Sequence, residues 1–385
     1  MINVAVIGTG NISSAHIKSY LAFPERCKIT ALVDIYPEKA EKKKAEYGLD
    51  AKVYSSHKDI LKDTSIDLVS VCTPPYCHAE IAINSLNSGK NVIVEKPMAP
   101  SLEECDAMLA ARDSSGKLLS VIAQNRFRTP IMNLKKTLDS GLIGRVLHAQ
   151  IDSHWWRGHC YYDLWWRGTW EKEGGGCTLN HAVHQIDMLA WMMGLPKAAM
   201  AMLSNAAHDN SEVEDVSVAA LQYEGGSVAQ VTSSVIHHGG QQQVIFQGEH
   251  ARISAPWEIA TSLSKPNGFP DPNPELDKKL TDFYSALPVL EHEGHEGQID
   301  NVLTALETGN LPLISGEDGR RTIELITAIY KAGAEKKLIS LPIQKDDIFY
   351  KQGGITKAMP HFYEKTASVI EQDGGPITVG SDYKK

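Results

Sequence analysis

The chain has 385 residues, with 38 lysines and arginines against 47 aspartates and glutamates, and a formal net charge of −9. At about 150 residues per domain, this length predicts two or three domains. The acidic balance leaves no basic stripe for a phosphate backbone, so we expect no nucleic-acid binding. Hydrophobic residues make up 42% of the chain, enough for sizeable cores, which excludes a disordered protein.

The six cysteines include no C-x-x-C pair and are too sparse for a disulfide framework, which favours a reducing compartment. The first residues lack the basic and long apolar regions of a signal peptide. The chain contains no run of about 18 apolar residues, the length that would predict a membrane span. We therefore expect a cytoplasmic protein with no membrane partner.

The first 34 residues predict a dinucleotide-binding unit. A buried strand at Ile2–Ile7 leads into a glycine turn and a helix, and a second strand ends at Asp34. Gly8 permits the tight turn, and Gly10 lets a pyrophosphate approach the backbone at the start of the helix. Asp34 lies 21 positions after Ser13, close to the spacing of about 20 for the acid that binds the adenosine ribose.

A carboxylate at position 34 accepts hydrogen bonds from a free 2′-hydroxyl and repels a 2′-phosphate, so NAD is favoured over NADP. Two alternatives stay open from the residues alone. The glycine turn could bind another ligand or none, and Asp34 could be a solvated loop carboxylate.

Further apolar runs at 68–72, 91–94 and 118–123 alternate with helical stretches. This alternation predicts a parallel sheet, with ligands at the carboxyl ends of its strands. One strand ends in Lys96-Pro97, where proline rigidifies the backbone that presents the ammonium group. Besides the two glycines and Asp34, the predicted cofactor-binding residues are Asn11, Ile12, Thr73, Pro74, His78, Glu95, Lys96 and Gln124.

From about residue 127 the pattern changes to strands of alternating character, typical of an antiparallel sheet. The segment 155–170 holds five of the seven tryptophans, interleaved with arginine and aspartate. Ring faces suit the C–H groups of a carbohydrate, and charged groups suit its hydroxyls. For any single residue, an aromatic core or a subunit interface is an equal alternative. The predicted substrate-binding residues include Arg157, Asp163, Trp166 and Arg167, with Arg126 at the end of the preceding strand.

Three glycines precede a predicted helix over 178–193. Asn180, His184 and Asp187 share one face of that helix because they lie at i, i+4 and i+7. His181 and His184 are also spaced for metal ligation, but no further ligands stand at suitable spacing, so we predict no metal. A single histidine on a helix is more often structural than catalytic.

Several segments together resemble the glucose–fructose oxidoreductase, inositol dehydrogenase and rhizopine-catabolism (Gfo/Idh/MocA) family. They read VIGTGNIS at 6–13, VSVCTPPYCHAE at 69–80, VIVEKPMA at 92–99 and GGGCTLNHAVHQIDML at 174–189, and 294–332 is also similar. The resemblance implies an α/β fold, with an N-terminal Rossmann domain and a C-terminal α/β domain built on a large, open, mostly antiparallel sheet. We place the domains at 1–126 and 127–385, with 351–385 resembling a tail.

The resemblance also implies site residues and an activity. Lys96 of the EKP tripeptide is expected beside the nicotinamide and the reacting oxygen, and His184 is expected to be the acid/base residue. Asn180 stands where many members carry aspartate, which leaves it a neutral hydrogen-bonding role toward the substrate. Family members assemble through the C-terminal sheet, so we expect a homodimer or homotetramer.

The sequence thus predicts an NAD-dependent oxidoreductase that acts on a secondary hydroxyl of a sugar, glycoside or cyclitol. Two other functions remain open. One is a hydrolase or lyase that retains NAD and cleaves a glycoside through transient oxidation. The other is a non-catalytic sensor of NAD and sugar, which would need neither Lys96 nor His184.

Overall fold

The computed structural model describes residues 1–370 and residue 383. The first domain is a parallel sheet with helices on both faces. Its strands are β1 (Ile2–Ile7), β2 (Cys27–Val33), β3 (Lys52–Tyr54), β4 (Leu68–Val71), β5 (Asn91–Val94) and β6 (Leu119–Val121), and its helices are α1 (Ser13–Leu21), α2 (Pro37–Tyr47), α3 (His78–Asn87) and α4 (Leu102–Ser115).

The strand order is β3-β2-β1-β4-β5-β6, and every neighbouring pair is parallel. This is the doubly wound order, whose switch point for ligand binding lies between β1 and β4. All four residues of β4 are buried, as expected for a strand covered on both faces. The predicted Rossmann domain is confirmed.

The second domain is built on a mixed eight-stranded sheet. Its helices are α5 (Thr129–Asp139), α6 (Cys177–Asn180), α7 (Val183–Met193), α8 (Pro274–Ser285), α9 (Gly294–Thr308), α10 (Gly316–Glu335) and α11 (Gly354–Ala358). The strands of the sheet are β7 (Val146–His154), β8 (Ala198–Ser204), β9 (Val216–Gln222), β10 (Val228–Ser234), β11 (Gln242–Gly248), β12 (Ala251–Ala255), β13 (Glu258–Thr261) and β16 (Ile339–Ser340). Strands β14 (Leu263–Ser264) and β15 (Pro270–Asp271) form a separate two-stranded sheet.

The order of this sheet is β13-β12-β11-β7-β10-β9-β8-β16. Its pairs are antiparallel except for β7 and β10, which run parallel. The predicted open, mostly antiparallel sheet is therefore confirmed. The strands alternate buried and exposed residues, so one face packs on the helices and the other faces outward.

Two helices from the C-terminal half connect the domains. Helix α9 buries Ile299, Val302 and Leu303 in the same core as residues of β1 and β2. Helix α10 packs against β8 and α7 on one side and against α4 and β6 on the other. Part of the region that follows residue 126 therefore completes the first domain, which local sequence patterns did not reveal.

The predicted helix over 178–193 is divided in two. Helix α6 ends at Asn180, and the amides of His181 and Ala182 both donate to the carbonyl oxygen of Cys177, at 3.1 and 2.9 Å. This shared acceptor interrupts the helical hydrogen-bond register before α7 begins at Val183.

Residues 351–370 pack against α4 of the first domain and against the second domain, although we expected this region to resemble a tail. Helix α11 lies here, and Ile355 and Met359 are buried. The remainder of the predicted tail, apart from residue 383, lies outside the described residues. Within the described part of the chain, no helix is long and apolar enough to cross a membrane.

Candidate functional site

The glycine turn after β1 has the geometry that a dinucleotide needs. Gly8 has a φ of +87°, and a Cβ there would lie 2.7 Å from the carbonyl oxygen of Cys72, so only glycine fits. A Cβ at Gly10 would meet no atom within 4 Å, so the backbone faces open space at the start of α1. Asn11 and Ile12 follow at the same opening. The turn leaves room for a pyrophosphate beside the helix amides.

Asp34 lies directly beside this turn. Its Oδ2 atom accepts hydrogen bonds from the backbone amide and the hydroxyl of Thr9, at 2.8 and 2.7 Å, and its Oδ1 accepts one from the Tyr36 amide at 3.0 Å. These three bonds fix a half-buried carboxylate at the end of β2. Asp34 lies at the strand end where the sequence pattern predicts it, and it is oriented by Thr9, which that pattern did not indicate.

The loops after β4 and β5 are joined by His78. This side chain is fully buried, and its ring nitrogens lie 2.8 Å from the carbonyl oxygens of Thr73 and Pro97. Both nitrogens are therefore engaged by backbone, and our prediction that His78 binds the cofactor is replaced by a positioning role. The Thr73 hydroxyl is buried without a partner among the described residues, which leaves it available to a ligand. Pro74 lies on the same loop.

Glu95 anchors a buried cluster behind the loop that follows β5. Its Oε1 lies 2.9 Å from Nε2 of His16 and 3.5 Å from Nε2 of His295, and its Oε2 accepts the Lys96 amide at 3.1 Å. The Nδ1 of His16 is 2.8 Å from the Ser70 hydroxyl. One ring nitrogen of His16, one of His295 and a carboxylate oxygen of Glu95 lie within 4.8 Å of one another, a spacing that a divalent cation could also bridge.

The electrostatics of this cluster are strongly coupled. Burial alone would raise the pKa of Glu95, but its contacts with His16 and His295 hold it well below its usual range. Burial disfavours the charged His16, yet the Cys72 sulfur and Glu95 raise the pKa of His16 to about 10. Glu95 therefore acts as an internal counter-charge. Our prediction that it binds the cofactor does not fit, because the imidazoles and a backbone amide occupy its oxygens.

Lys96, Asn180 and His184 meet between the two domains. Nζ of Lys96 donates to the carbonyl oxygen of Asn180 at 3.2 Å, and Nδ2 of Asn180 donates to the carbonyl oxygen of Gly175 at 2.8 Å. Lys96 and His184 line one small cavity, which Met98 also lines. These residues come from the end of β5, from α6 and from the first turn of α7.

The charge states of Lys96 and His184 follow from their surroundings. Burial lowers the pKa of Lys96 from its usual value. Burial, and then the nearby charge of Lys96, lower the pKa of His184 to about 3. His184 is therefore a neutral imidazole across the physiological range.

Arg167 is the centre of the aromatic segment. Its guanidinium group lies 4.2 Å from the ring centre of Tyr161 and 4.3 Å from that of Trp166. It donates to the Tyr161 hydroxyl and to Oε1 of the buried Glu173, the latter at 3.1 Å. The Tyr161 hydroxyl lies 3.2 Å from Nε2 of His181, so the segment reaches the beginning of α7. Local sequence patterns gave no signal for Tyr161 or Glu173, because their roles depend on this packing.

Arg157 and Asp163 have different surroundings. The guanidinium group of Arg157 lies 5.2 Å from the Trp155 ring centre and donates to the carbonyl oxygen of Trp156 at 2.8 Å. Asp163 accepts a 2.8 Å hydrogen bond from Asn210, and its carbonyl oxygen accepts the Val369 amide at 2.7 Å. The backbone of Asp163 therefore anchors the chain near residue 369, and its role in substrate binding stays a prediction.

Arg126 and Gln124 lie in the turn after β6, and both are buried. Arg126 binds Asp187 through two hydrogen bonds of 2.8 and 2.7 Å and contacts Asp318 at 3.2 Å. Our prediction that Arg126 binds substrate does not agree with this structure, because the side chain is 1% exposed and three of its five N–H groups join the domains. The side-chain oxygen of Gln124 is buried without a partner among the described residues.

Comparison with known families decides the assignment. Residues 2–123 match the model described as the oxidoreductase family with an NAD-binding Rossmann fold, and residues 131–254 match the GFO/IDH/MocA C-terminal domain. The chain belongs to the GFO/IDH/MocA oxidoreductase family. Its first domain is an NAD-binding Rossmann domain, as the glycine turn and Asp34 predict.

Individual GFO/IDH/MocA proteins are similar over most of the chain. Inositol 2-dehydrogenase of Rhizobium meliloti is 25% identical over 88% of this chain and 99% of its own length. Levoglucosan dehydrogenase of Pseudarthrobacter phenanthrenivorans is 28% identical over 64% of this chain and 70% of its own. Among solved structures, the WlbA dehydrogenase of Bordetella pertussis with NADH and UDP-GlcNAcA has a TM-score of 0.77 at 28% identity, covering 89% of this chain and 98% of that one.

Proposed function

We propose that this GFO/IDH/MocA protein is an NAD-dependent dehydrogenase, which transfers a hydride between a secondary hydroxyl of a sugar, glycoside or cyclitol and the nicotinamide. The observation that carries the proposal is the pairing of Lys96 with His184 at one cavity between the domains. The names of the similar inositol and levoglucosan dehydrogenases support a polyol or sugar substrate.

The residues present fit NAD. Gly8 and Gly10 would hold the pyrophosphate, Asp34 would accept the ribose hydroxyls, and the unpartnered Thr73 hydroxyl would face the cofactor near β4. When bound, the nicotinamide accepts or returns the hydride. A 2′-phosphate would meet the fixed carboxylate of Asp34, which favours NAD over NADP.

The pKa directions favour Lys96 as the proton acceptor. Burial lowers its pKa toward the working range, whereas a pKa of about 3 makes His184 a weak base. In oxidation, a neutral Lys96 would take the hydroxyl proton, and neutral His184 would hydrogen-bond the same oxygen. Alcohol oxidation should therefore increase as the pH rises through the lowered pKa of Lys96, because the neutral amine becomes more abundant.

Substitution of Lys96 tests this assignment. Lys96→Ala should abolish turnover while NADH binding, measured by fluorescence titration, is retained. Lys58→Ala is the matched control because the Lys58 side chain is 65% exposed and pairs only with the surface carboxylate of Glu80 in the described structure. Full activity of Lys96→Ala would contradict the proposed role.

A substrate screen tests the reaction class. Free sugars, cyclitols, sugar acids and glycosides would be incubated with protein and NAD, and free NADH would be followed by absorbance. Accumulating NADH supports a dehydrogenase, whereas glycoside cleavage without NADH identifies an enzyme that retains its cofactor. Failure of every carbohydrate, with NAD binding confirmed, would contradict both.

We also propose that the protein forms a homodimer or homotetramer through the outer face of the eight-stranded sheet. Met200 and Met202 of β8 are 50% and 82% exposed, and Val218 of β9, the register partner of Met202, is 51% exposed. Val228 of β10 is 43% exposed and lies opposite Gln222 of β9. Exposed apolar side chains grouped on one sheet face are typical of a subunit interface.

A further inference from the structure

Two guanidinium groups and the amine of Lys96 converge beside His181, at the inner end of the aromatic segment. Arg167 lies 4.2 Å from the ring centre of Tyr161, and Arg157 lies 5.4 Å from the same centre. The third group is Lys96, whose Nζ donates to the carbonyl oxygen of the residue before His181 at 3.2 Å. Burial, followed by the charges of the two arginines and the lysine, holds the pKa of His181 well below its usual range.

Few negative charges balance these cations. Among the residues that the structure describes, the carboxylate hydrogen-bonded to one of the two guanidinium groups is that of Glu173. Burial raises the pKa of Glu173 to about 7, so even this carboxylate is partly protonated at neutral pH. The carboxylates of Glu95 and Asp163 are engaged with histidines and with Asn210. The region is therefore locally positive in a protein whose net charge is −9.

The same region contains polar atoms that lack a partner. In the described part of the chain, Nε of Arg167, Nε1 of Trp155 and Nδ1 of His181 are buried without a hydrogen bond. The first two are always donors, and Nδ1 is a donor when the Tyr161 hydroxyl donates to Nε2 of His181. Unpaired buried donors are costly. Together with the excess positive charge, they favour a ligand that is rich in acceptors.

We propose that the carbohydrate oxidised by this protein carries an anionic group, a carboxylate or a phosphate, which binds at Arg157 and Arg167. The proposal rests on the dehydrogenase function proposed above and names its substrate class. Guanidinium groups bind both anions through paired hydrogen bonds, and aromatic stacking keeps these two oriented before the ligand arrives. A neutral sugar would leave the positive charge uncompensated.

Matched substrate pairs test the proposal. Glucose is compared with glucuronate, and galactose with galacturonate, for the carboxylate; glucose is compared with glucose 1-phosphate and UDP-glucose for the phosphate. NAD reduction measures turnover, and calorimetric titration of the NADH-loaded protein measures binding without turnover. We expect at least one acidic sugar to bind about tenfold or more tightly than its neutral partner, a difference of one hydrogen bond to a charged group.

The outcomes separate the two proposals. Equal or tighter binding of every neutral partner overturns the anionic substrate class, while NADH formation from a neutral sugar would still support a dehydrogenase. Selective binding of an acidic sugar, with no NADH formed from any compound, supports the anion site and contradicts the dehydrogenase. Preference for carboxylates or for phosphates identifies the anion.

Substitution of Arg157 tests the site itself, because in the described structure its guanidinium group donates to the Trp156 carbonyl and to Tyr161 but to no carboxylate. Arg157→Gln should raise the Kd of the acidic sugar about 10- to 100-fold, with little change for its neutral partner. Arg145→Gln is the control, since Arg145 is 55% exposed and pairs with Glu249. Arg167→Lys keeps a cation for Glu173 but loses the planar fork, and should weaken the same ligand. Equal effects on acidic and neutral sugars would overturn the proposal.

Discussion

Replacement of Asp187 by asparagine removes the charge that neutralises Arg126 between the domains. The Arg126 side chain is 1% exposed and binds the Asp187 carboxylate through hydrogen bonds of 2.8 and 2.7 Å. In Asp187→Asn, Asp318 at 3.2 Å is the carboxylate that remains beside the guanidinium. The buried cation would thus lose its bidentate partner and be only partly compensated.

The expected loss of stability in this variant follows from these contacts. Each hydrogen bond to a charged group contributes about 1.5–3 kcal/mol, so the two together contribute about 3–6 kcal/mol. Breaking a buried ion pair by removing one partner costs about 3–5 kcal/mol, because the other charge is left buried. We therefore expect the free energy of unfolding to fall by about 3–5 kcal/mol in Asp187→Asn.

Urea denaturation followed by tryptophan fluorescence is the assay, because Trp191 lies with its ring centre 5.0 Å from the Arg126 guanidinium. Asp50→Asn is the matched control, since Asp50 pairs with Lys28 on the surface. The double variant Arg126→Met/Asp187→Leu should recover much of the lost stability. A change below about 1 kcal/mol in Asp187→Asn, together with a raised KM for the sugar, would refute the structural role and restore the predicted contact with substrate.

Three further predictions concern the cofactor turn, His184 and the sheet surface. Gly10→Ala should leave the melting temperature unchanged but weaken NADH binding in a fluorescence titration. Gly8→Ala should lower both the melting temperature and the affinity for NADH, because its Cβ would clash with a carbonyl. Equal melting temperatures of the two variants would contradict this prediction. Because the pKa of His184 is lowered to about 3 in the folded protein, stability should fall as the pH drops below about 6.5. In His184→Asn, the free energy of unfolding from urea denaturation should fall less steeply as the pH drops below about 6.5. An unchanged pH dependence would count against a buried neutral imidazole at position 184. Met202→Glu should shift sedimentation velocity to a smaller species, since a carboxylate would be buried at the proposed interface; an unchanged distribution would argue against it.

The aromatic segment shows how far local composition can be followed. Tryptophans interleaved with arginines predicted side chains suited to a carbohydrate, and Arg167 lies against the rings of Tyr161 and Trp166. Asp163 belongs to the same pattern, and the structure adds a hydrogen bond from Asn210 to its carboxylate that composition did not indicate. Composition indicates which chemistry a segment can offer, whereas long-range packing decides which side chains remain available.

The amino-acid sequence alone was enough to predict the first domain and the family. Its elements follow one another in local order, and the turn, helix and acid lie within 34 residues, so short-range patterns suffice. Through the family resemblance, the EKP tripeptide also predicted Lys96 as a site residue. The surroundings of these groups depend on the folded chain, because the partners are distant in the sequence. His16, Glu95 and His295 meet from three separate segments, and Lys96 contacts a carbonyl 84 positions away. Charge states depend on burial and on such neighbours, so they become visible only once the chain is folded.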